Sequence, residues 1–171
     1  MTPFGATATG VWATHEDEIA VWDAQLATDA WVFHVPKKGW VTYVDDEDTV
    51  LIYDGTNWRP VSGSANAPAS ASNVLVLDLL AGNVFDVTLT ENVTTLTISN
   101  PKASGQYDEF TLISAQDGTG GFSYTWPAAV KWPGGTAPTQ TTAANAVDIY
   151  HFMTVDGGTT WHGRQISGDS K

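Results

Sequence analysis

Cysteine is absent from the 171-residue sequence, and basic residues are scarce. Without a thiol, the chain can form neither a disulfide framework nor a zinc-thiolate site, and it has no nucleophilic cysteine. Seven basic residues stand against nineteen acidic ones, which gives a formal net charge of −12. A field of this sign repels phosphate backbones and anionic lipid surfaces, so we expect no nucleic acid and no membrane as partners.

Long apolar runs and a secretory start are also missing. No apolar stretch approaches the length of a membrane-spanning helix, and residues 1–18 lack the basic and apolar regions of a signal peptide. We therefore expect a chain that is made in a cytoplasm and stays soluble. Apolar residues nevertheless make up 42% of the sequence, with eight tryptophans. This is too much apolar material for a disordered polymer, so the chain should fold.

Residues 62–73 divide the sequence into two parts. This segment, SGSANAPASASN, has no charge and no large apolar side chain, a composition typical of a flexible linker. It predicts one domain at residues 1–61 and a second at residues 74–171. The first domain is small enough for its core to be marginal, so we expect its tryptophans to supply much of the buried surface.

Short runs of β-forming residues between turn residues predict an all-β protein. The first domain is predicted as a small antiparallel β-hairpin domain. Its expected strands are 19–22, 30–34, 39–44, 50–53 and 58–61. In the second domain, apolar and polar side chains alternate, which predicts a β-sandwich with a jelly-roll-like fold. Its expected strands are 74–77, 83–89, 94–99, 107–115, 122–126, 147–155 and 160–166.

Several polar clusters resemble sites only superficially. The acidic run 45–48 lacks the alternate ligands, central glycine and distal glutamate of a calcium loop, so it favours a solvated turn over a weak cation site. Residues 15–18, His-Glu-Asp-Glu, lack the spacing of a metal site and predict a surface or structural role. His34, His151 and His162 occur singly in expected strands, where a partly buried, hydrogen-bonded histidine is the more common case.

No catalytic motif selects a group of residues. A G-x-S-x-G elbow is absent, and Gly118-Thr119-Gly120-Gly121 lies between two expected strands, which favours a hairpin loop over a phosphate loop. A carboxylate pair for glycoside hydrolysis stays open, because the separation of two carboxylates is a three-dimensional quantity. We predict no catalytic residues, no metal ligands and no cofactor, and we leave the binding residues unassigned.

The tryptophans admit two interpretations. Those at positions 12, 22, 31, 40 and 58 could line a sugar-binding surface, where flat rings stack on sugar C–H groups, or form the core of the first domain. We favour the core, because a domain this small has few other bulky residues to bury. Trp126 and Trp132 lie in a segment rich in proline and glycine, and at least one of them is expected to be exposed.

Two stretches resemble known virion domains. GVWATHEDEIAVWD, continued by WVFHVPKKGWVTYVDDEDTVLIYDGTNW, resembles a small domain of unknown function from alphaproteobacterial prophages and gene transfer agents. NVFDVTLTENVTTLTISNP with FTLISAQDGTGGFSYTWPAAVKWPGGTAPTQTTAANAVDIYHFMTVDGGTTWHG is similar to a β domain of phage tail-fibre, head-fibre and related virion proteins. The order of QDGTGG, TWP, KWPGG and DGGTTW makes the second resemblance the more specific one.

The resemblance implies a non-enzymatic virion protein of a tailed phage or gene transfer agent, acting as a head or tail fibre or spike in adhesion to the host surface. It further implies a homotrimer, contacts with capsid or tail proteins and contact with host surface polysaccharide. The first domain is expected to attach to the particle or to oligomerise, and the second to face the receptor. Such domains usually end longer fibre chains, so a short head fibre, a capsid decoration protein or a fibre tip fits this length better than a whole long tail fibre. Capsid decoration and a carbohydrate-binding module without catalysis stay open as alternatives.

Overall fold

The computed structural model describes residues 13, 15, 18–23, 30–45, 48–61, 63 and 65–170. The chain divides into two compact units, residues 1–62 and 63–171. Regular structure is almost entirely β, and the one helical element among the described residues is a 3₁₀ turn at Pro133–Gly135. In this part of the chain, no helix has both the length and the apolar composition needed to cross a membrane.

The first unit has two antiparallel sheets. Its strands are β1 (Ile19–Asp23), β2 (Ala30–His34), β3 (Val41–Val44), β4 (Thr49–Tyr53) and β5 (Trp58–Pro60). β1 and β2 form a hairpin, and β3, β4 and β5 form a three-stranded sheet in chain order. Asp54 shapes the turn after β4, because its carboxylate accepts hydrogen bonds from the backbone N–H groups of Thr56 and Asn57 at 2.8 Å each.

The core of the first unit lies on one face of the three-stranded sheet. Its buried residues are Val44, Leu51 and Trp58, and Ile19 and Tyr53 pack against them. Ile19 belongs to β1, so the β1–β2 hairpin contacts this face of the sheet. Among the residues of this unit that the structure describes, three side chains form this buried cluster.

The second unit has a six-stranded and a two-stranded sheet. Its strands are β6 (Ala65–Asn66), β7 (Val74–Asp78), β8 (Val84–Leu89), β9 (Thr95–Ser99), β10 (Asp108–Gln116), β11 (Val130–Lys131), β12 (Val147–Thr154) and β13 (Trp161–Ser167). The order in the large sheet is β11-β13-β12-β10-β8-β6, and β7 pairs with β9 in the small one.

From β6 to β10, the chain winds as a flattened coil. Successive strands alternate between the two sheets, so that β6, β8 and β10 are parallel neighbours in the large sheet and β7 and β9 are parallel in the small one. A parallel bridge from Val93 to Tyr124 continues this winding after β10. Each parallel connection therefore crosses through a strand of the opposite sheet, as in a β-solenoid. β12 then pairs antiparallel with both β10 and β13.

The two sheets of the second unit enclose one large core. Phe110 lies at its centre, with ring centroids 4.7 Å from Phe152, 5.2 Å from Trp161 and 5.7 Å from Phe85. Residues from both sheets contribute to the buried cluster, which makes the unit a β-sandwich. The cluster contains Leu75, Leu77, Leu79, Phe85, Val87, Leu89, Val93, Leu96, Phe110, Leu112, Tyr124, Val130, Tyr150, Phe152 and Trp161.

The predicted fold class, an all-β chain with a small hairpin domain followed by a β-sandwich, is confirmed. Two local predictions differ from the structure. Residues 122–126 do not form a strand; they contribute a single bridge at Tyr124. Within the segment predicted as a linker, Ala65–Asn66 form β6, which pairs with β8. Short side chains in that segment thus serve a two-residue strand at the edge of the large sheet.

Candidate interaction surfaces

Asp45 and Asp48, the described residues of the acidic run 45–48, lie in turns between β3 and β4. Asp45 and Asp48 are exposed, whereas residues 46 and 47 lie outside the described part of the chain. The Tyr43 hydroxyl donates a hydrogen bond to the Asp48 carboxylate, which raises the pKa of Tyr43. Among the described residues, no group of three or more His, Cys, Asp or Glu side chains is arranged to hold a metal ion.

The histidines take different local roles. His15 Nδ1 lies 2.9 Å from Glu18 Oε2, and the ring of His15 stacks on Phe33 with centroids 4.0 Å apart. His151 is partly buried, with Nε2 at 3.4 Å from Glu109 Oε2. His34 and His162 are exposed, so the predicted partial burial applies to His151 and is wrong for these two. Glu16 and Asp17 lie outside the described residues.

The glycine-rich loop 118–121 is a turn held by Asp117. Asp117 Oδ1 accepts hydrogen bonds from the backbone N–H groups of Thr119 at 2.7 Å and Gly120 at 2.8 Å. Gly120 has φ +70°, and a Cβ there would lie 2.6 Å from the carbonyl oxygen of Thr142. Glycine is thus required by a close backbone approach. Since these amides bind Asp117, the loop does not present them to a phosphate.

A second Asp-Gly turn, at Asp156-Gly157-Gly158, is held in the same way. Asp156 Oδ1 accepts hydrogen bonds from the backbone N–H of Thr160 at 2.9 Å and from the hydroxyl of Thr154 at 2.8 Å. These hydrogen bonds lower the pKa of Asp156, because they favour its ionised form. Its carboxylate closes the turn between β12 and β13.

In the second unit, both oxygens of the buried Asp148 carboxylate accept hydrogen bonds. Asp148 is 4% exposed and accepts hydrogen bonds from Thr141 N (2.8 Å), Asp169 N (3.0 Å) and the Tyr150 hydroxyl (2.9 Å). Burial alone would raise the pKa of Asp148, but the hydrogen bonds outweigh it and the pKa is lowered. Burial also raises the pKa of Tyr124 to about 12. With its oxygens engaged in this way, Asp148 acts as a structural acceptor.

The tryptophans of the first unit are mostly at the surface. Trp58 is 5% exposed and belongs to the core, but Trp22, Trp31 and Trp40 are 49%, 41% and 36% exposed. The prediction that these residues form the core holds for Trp58 and is wrong for the other three. Trp22 and Trp31 face each other across the hairpin in a T-shaped pair with centroids 5.3 Å apart. Position 12 lies outside the described residues.

The two tryptophans of the second unit behave differently. Trp126 and Trp132 are partly buried and pack against the large core. Their rings form a T-shaped pair with centroids 5.1 Å apart. The expectation that one of them is exposed is wrong, because the loop around 127–133 folds both rings toward Tyr150 and Phe152.

The outer face of the β3–β4–β5 sheet is apolar and exposed. Across the strands, Val41 pairs with Ile52 and Tyr43 with Val50, and the N–H of Val61 donates to the carbonyl oxygen of Val50. These residues define what we call the apolar sheet face. All five side chains are exposed. An exposed antiparallel face is normally polar, and a contiguous apolar patch marks an interaction site.

The exposed apolar residues of the second unit are interrupted by polar ones. On the small sheet, Val74 and Val76 are exposed, but each lies directly opposite an exposed threonine of β9, Thr95 or Thr97. This alternation is ordinary for a solvated sheet surface. The apolar sheet face and the Trp22–Trp31 pair are therefore the features that point to binding. Sequence alternation alone missed them, since β3 and β4 have β-forming residues on both faces.

Comparison with protein families gives two matches. Residues 4–59 match the family described as "protein of unknown function (DUF2793)". Residues 60–160 match the family described as "putative phage tail fibre C-terminal domain", and the division between the two matches falls next to that between the two compact units. No curated protein matches the chain. The resemblance to a phage fibre protein with an N-terminal domain of unknown function is confirmed. Because the second match covers more than half of the chain, the protein belongs to the phage tail fibre C-terminal domain family.

Proposed function

We propose that this chain is a structural, non-catalytic fibre or spike subunit of a phage particle and that it takes part in adhesion to the host surface. The match of residues 60–160 to the tail fibre family carries the proposal. The geometry agrees with it, since Asp148 and the two Asp-Gly turns have their carboxylates engaged in structural hydrogen bonds. What the described residues offer for function is exposed apolar and aromatic surface.

The two units suit different tasks. The described part of the first unit has an apolar sheet face, which fits attachment to the particle or to other copies of the chain. The second unit has its own large core, and the exposed valines of its small sheet lie opposite exposed threonines, which fits a domain that projects into solvent toward a receptor. The homotrimer implied by fibre resemblance stays a prediction, as do the capsid or tail proteins that would anchor it.

Labelling of intact particles tests the proposal. Antibody to the second unit, visualised by electron microscopy, should decorate a projecting structure on particles, and the same antibody should reduce adsorption to host cells. Label confined to the capsid surface without any effect on adsorption would instead support capsid decoration. Absence of the protein from purified particles would refute a virion role altogether.

Lack of catalysis is tested separately. The purified protein should release no saccharide from host capsule or lipopolysaccharide over the background of buffer. Reproducible release that is abolished by a single Asp or Glu substitution would show an enzyme and would remove this part of the proposal.

Trp22 favours a second candidate function, contact with carbohydrate. Its side chain is 49% exposed on β1, so part of its ring is accessible for stacking on a sugar. On a glycan array, the wild-type chain should bind host surface polysaccharide, and Trp22→Ala should bind at least tenfold more weakly. Val35→Ala, at a 68% exposed position of the same unit, is the matched control and should bind as the wild type does. Equal binding by all three proteins, or none, would exclude this contact.

A further inference from the structure

A surface of a different kind lies on the outer side of the large sheet in the second unit. The adjacent strands β11, β13 and β12 contribute four basic or imidazole side chains to it, which we call the cationic sheet face: Lys131, His151, His162 and Arg164. Lys131 pairs with His162 across the strands, and His151 pairs with Arg164. The register of the sheet therefore brings residues that are up to 33 positions apart in sequence into one cluster.

The alternation of burial along these strands shows on which side of the sheet the cluster lies. Val130, Phe152 and Trp161 are each adjacent in sequence to one of the four residues, and they belong to the large core. Because successive side chains of a strand point to opposite sides of a sheet, the four side chains point away from that core. Three of them are exposed, and His151 is partly buried.

The two permanent charges of this face are close enough to contact one ligand. On the neighbouring strand, Arg164 lies two residues beyond His162, the partner of Lys131. With about 4.8 Å between strands and about 6.7 Å along two residues, the Cα atoms of Lys131 and Arg164 are roughly 8 Å apart. Met153, which lies opposite His162, is 41% exposed and adds an apolar contact to the same area.

Carboxylates near the cationic sheet face are engaged elsewhere. Asp148 is the one acidic residue within β11, β12 and β13, and it is buried on the core side of the sheet. On the adjacent strand β10, Glu109 accepts a hydrogen bond from the Tyr107 hydroxyl and lies 3.4 Å from His151 Nε2. Asp156 accepts hydrogen bonds within the turn between β12 and β13. None of these carboxylates forms an ion pair with the lysine or the arginine of the face.

Arg164 and Lys131 keep donors that no neighbour uses. Among the described residues, no side chain pairs with the Arg164 guanidinium. The Lys131 ammonium donates one hydrogen bond, to the carbonyl oxygen of Ala128 at 2.9 Å, and has two further protons. A guanidinium presents two parallel N–H donors that match the two oxygens of a carboxylate. Both side chains can thus bind an anion without first breaking an ion pair.

We propose that the cationic sheet face binds an acidic polysaccharide of the host surface through the carboxylates of its uronate units. Arg164 binds a carboxylate with two N–H donors, and Lys131 contacts the same unit or the next one. His162 donates a hydrogen bond to a sugar hydroxyl, and Met153 packs on sugar C–H groups. This inference rests on the adhesive function proposed above, since it names the receptor class and the residues that bind it.

Charge spacing favours a polyuronate over denser polyanions. Duplex nucleic acid carries one charge per about 1.7 Å, so it would place many phosphates against a chain with a net charge of −12. A polyuronate carries a single carboxylate per sugar ring. At physiological ionic strength a charge acts over about 8 Å, so the nearby cations decide the contact with such a polymer while the distant carboxylates are screened.

Titration of the full chain with oligouronates tests the ligand. Short oligomers of galacturonate, mannuronate and guluronate are the probes, and the methyl ester of each is its matched neutral control. By isothermal titration calorimetry, at least one of the three acids should bind, and its ester should bind at least about tenfold more weakly, because esterification removes the charge that Arg164 and Lys131 contact.

Substitutions in the face test the residues. Arg164→Gln should weaken binding at least about tenfold, and Arg164→Lys, which keeps the charge but loses the paired donors, about threefold or more. Lys131→Gln should weaken it about two- to fivefold. Lys38→Gln removes the same charge at an exposed position of the first unit, and it should bind as the wild type does. Circular dichroism confirms that each variant is folded.

Salt tests whether the loss in Arg164→Gln is electrostatic. The ratio of the wild-type affinity to that of Arg164→Gln should fall as sodium chloride is raised, because screening weakens the contact that the variant lacks. A ratio that does not change with salt would assign the loss to altered structure and would overturn the role of Arg164.

The remaining outcomes separate this site from the adhesive function. Binding of none of the three acids, equal binding of the esters, or equal weakening by Lys38→Gln overturns the site. Binding of inorganic polyphosphate in place of the uronates overturns the polysaccharide ligand. If antibody blocks adsorption of particles while the chain binds no uronate, the adhesive function stands and this site is wrong. Uronate binding by a protein that is absent from particles would support the site and refute the virion role.

Discussion

The described residues of the two units differ in how much of their apolar surface is buried. In the second unit, two sheets enclose fifteen buried apolar residues, and both partly buried tryptophans pack on that cluster. Among the described residues of the first unit, the buried hydrophobic cluster consists of Val44, Leu51 and Trp58, while Trp22, Trp31 and the apolar sheet face are exposed. The second unit thus has the core expected of an independently stable domain, whereas the first keeps much of its apolar surface for contacts outside itself.

Phe110→Ala should have the largest effect on the free energy of unfolding, because it removes the ring at the centre of the large core. Phe110 is 1% exposed and touches aromatic rings from three other strands. Removal of such a ring costs about 3–5 kcal/mol in the free energy of unfolding. Hydrogen exchange of β10 and β12 peptides across a denaturant series measures it. Val76→Ala, at a 45% exposed position of the same unit, should change stability by less than about 0.5 kcal/mol; equal losses would contradict the assigned core.

Asp148→Asn should remove a pH-dependent part of that stability. The pKa of Asp148 in the folded protein is below its reference value of 3.8, so the unfolded chain binds the proton more readily. The contribution is present above pH 4 and is lost as the pH falls through the folded pKa. Asp148→Asn should cost about 1.5–3 kcal/mol at pH 7, the value of hydrogen bonds to a charged group.

With the same substitution, the free energy of unfolding should also depend less on pH in the acid range. Unfolding of the second unit is followed from pH 6 to pH 2 for the wild type, Asp148→Asn and the control Asp86→Asn, whose carboxylate is exposed. If the free energy of unfolding falls with decreasing pH as steeply in Asp148→Asn as in the wild type, this carboxylate is not responsible for the acid dependence.

Gly163→Ala tests how closely the partly buried Trp132 packs against the core of the second unit. A Cβ at position 163 would lie 2.9 Å from Phe152 and 3.1 Å from Trp132, closer than atoms pack without displacement. Such overpacking costs about 1–3 kcal/mol, and the near-ultraviolet signal of Trp132 should change with it. Gly118→Ala is the matched control, since a Cβ there meets nothing within 4 Å. If both variants lose equal stability, close packing at Gly163 is not the cause.

The smallest effect on folding should come from the apolar sheet face itself. Val41→Thr keeps the β-branched shape and replaces one methyl group by a hydroxyl at a position that is 59% exposed. At a concentration low enough for single chains, the free energy of unfolding should change by less than about 0.5 kcal/mol. A loss above about 1 kcal/mol would mean that the face belongs to a core and is not a contact surface.

The sequence by itself determined where most strands and turns occur. Alternation of side chains such as Phe85, Val87 and Leu89 is local, and so is the chemistry of the turns at Asp54 and Asp156. Strand boundaries predicted from these signals mostly differ from the structure by one or two residues. The described residues of the acidic and glycine-rich segments lie in turns, and Asp117 and Asp156 accept backbone hydrogen bonds there.

Tertiary structure alone decided which strands pair, which rings are buried and which carboxylate accepts hydrogen bonds on both of its oxygens. The parallel neighbours β6, β8 and β10 are separated by strands of the other sheet, so no local pattern encodes their pairing. Likewise, the Asp148 carboxylate receives its donors from Thr141 and from Asp169, 21 residues away. Trp58 and Trp31 share a residue type and differ in burial: Trp58 packs in a cluster with Val44 and Leu51, whereas Trp31 is exposed. Contacts between residues that are distant in sequence set these features, and composition does not predict such contacts.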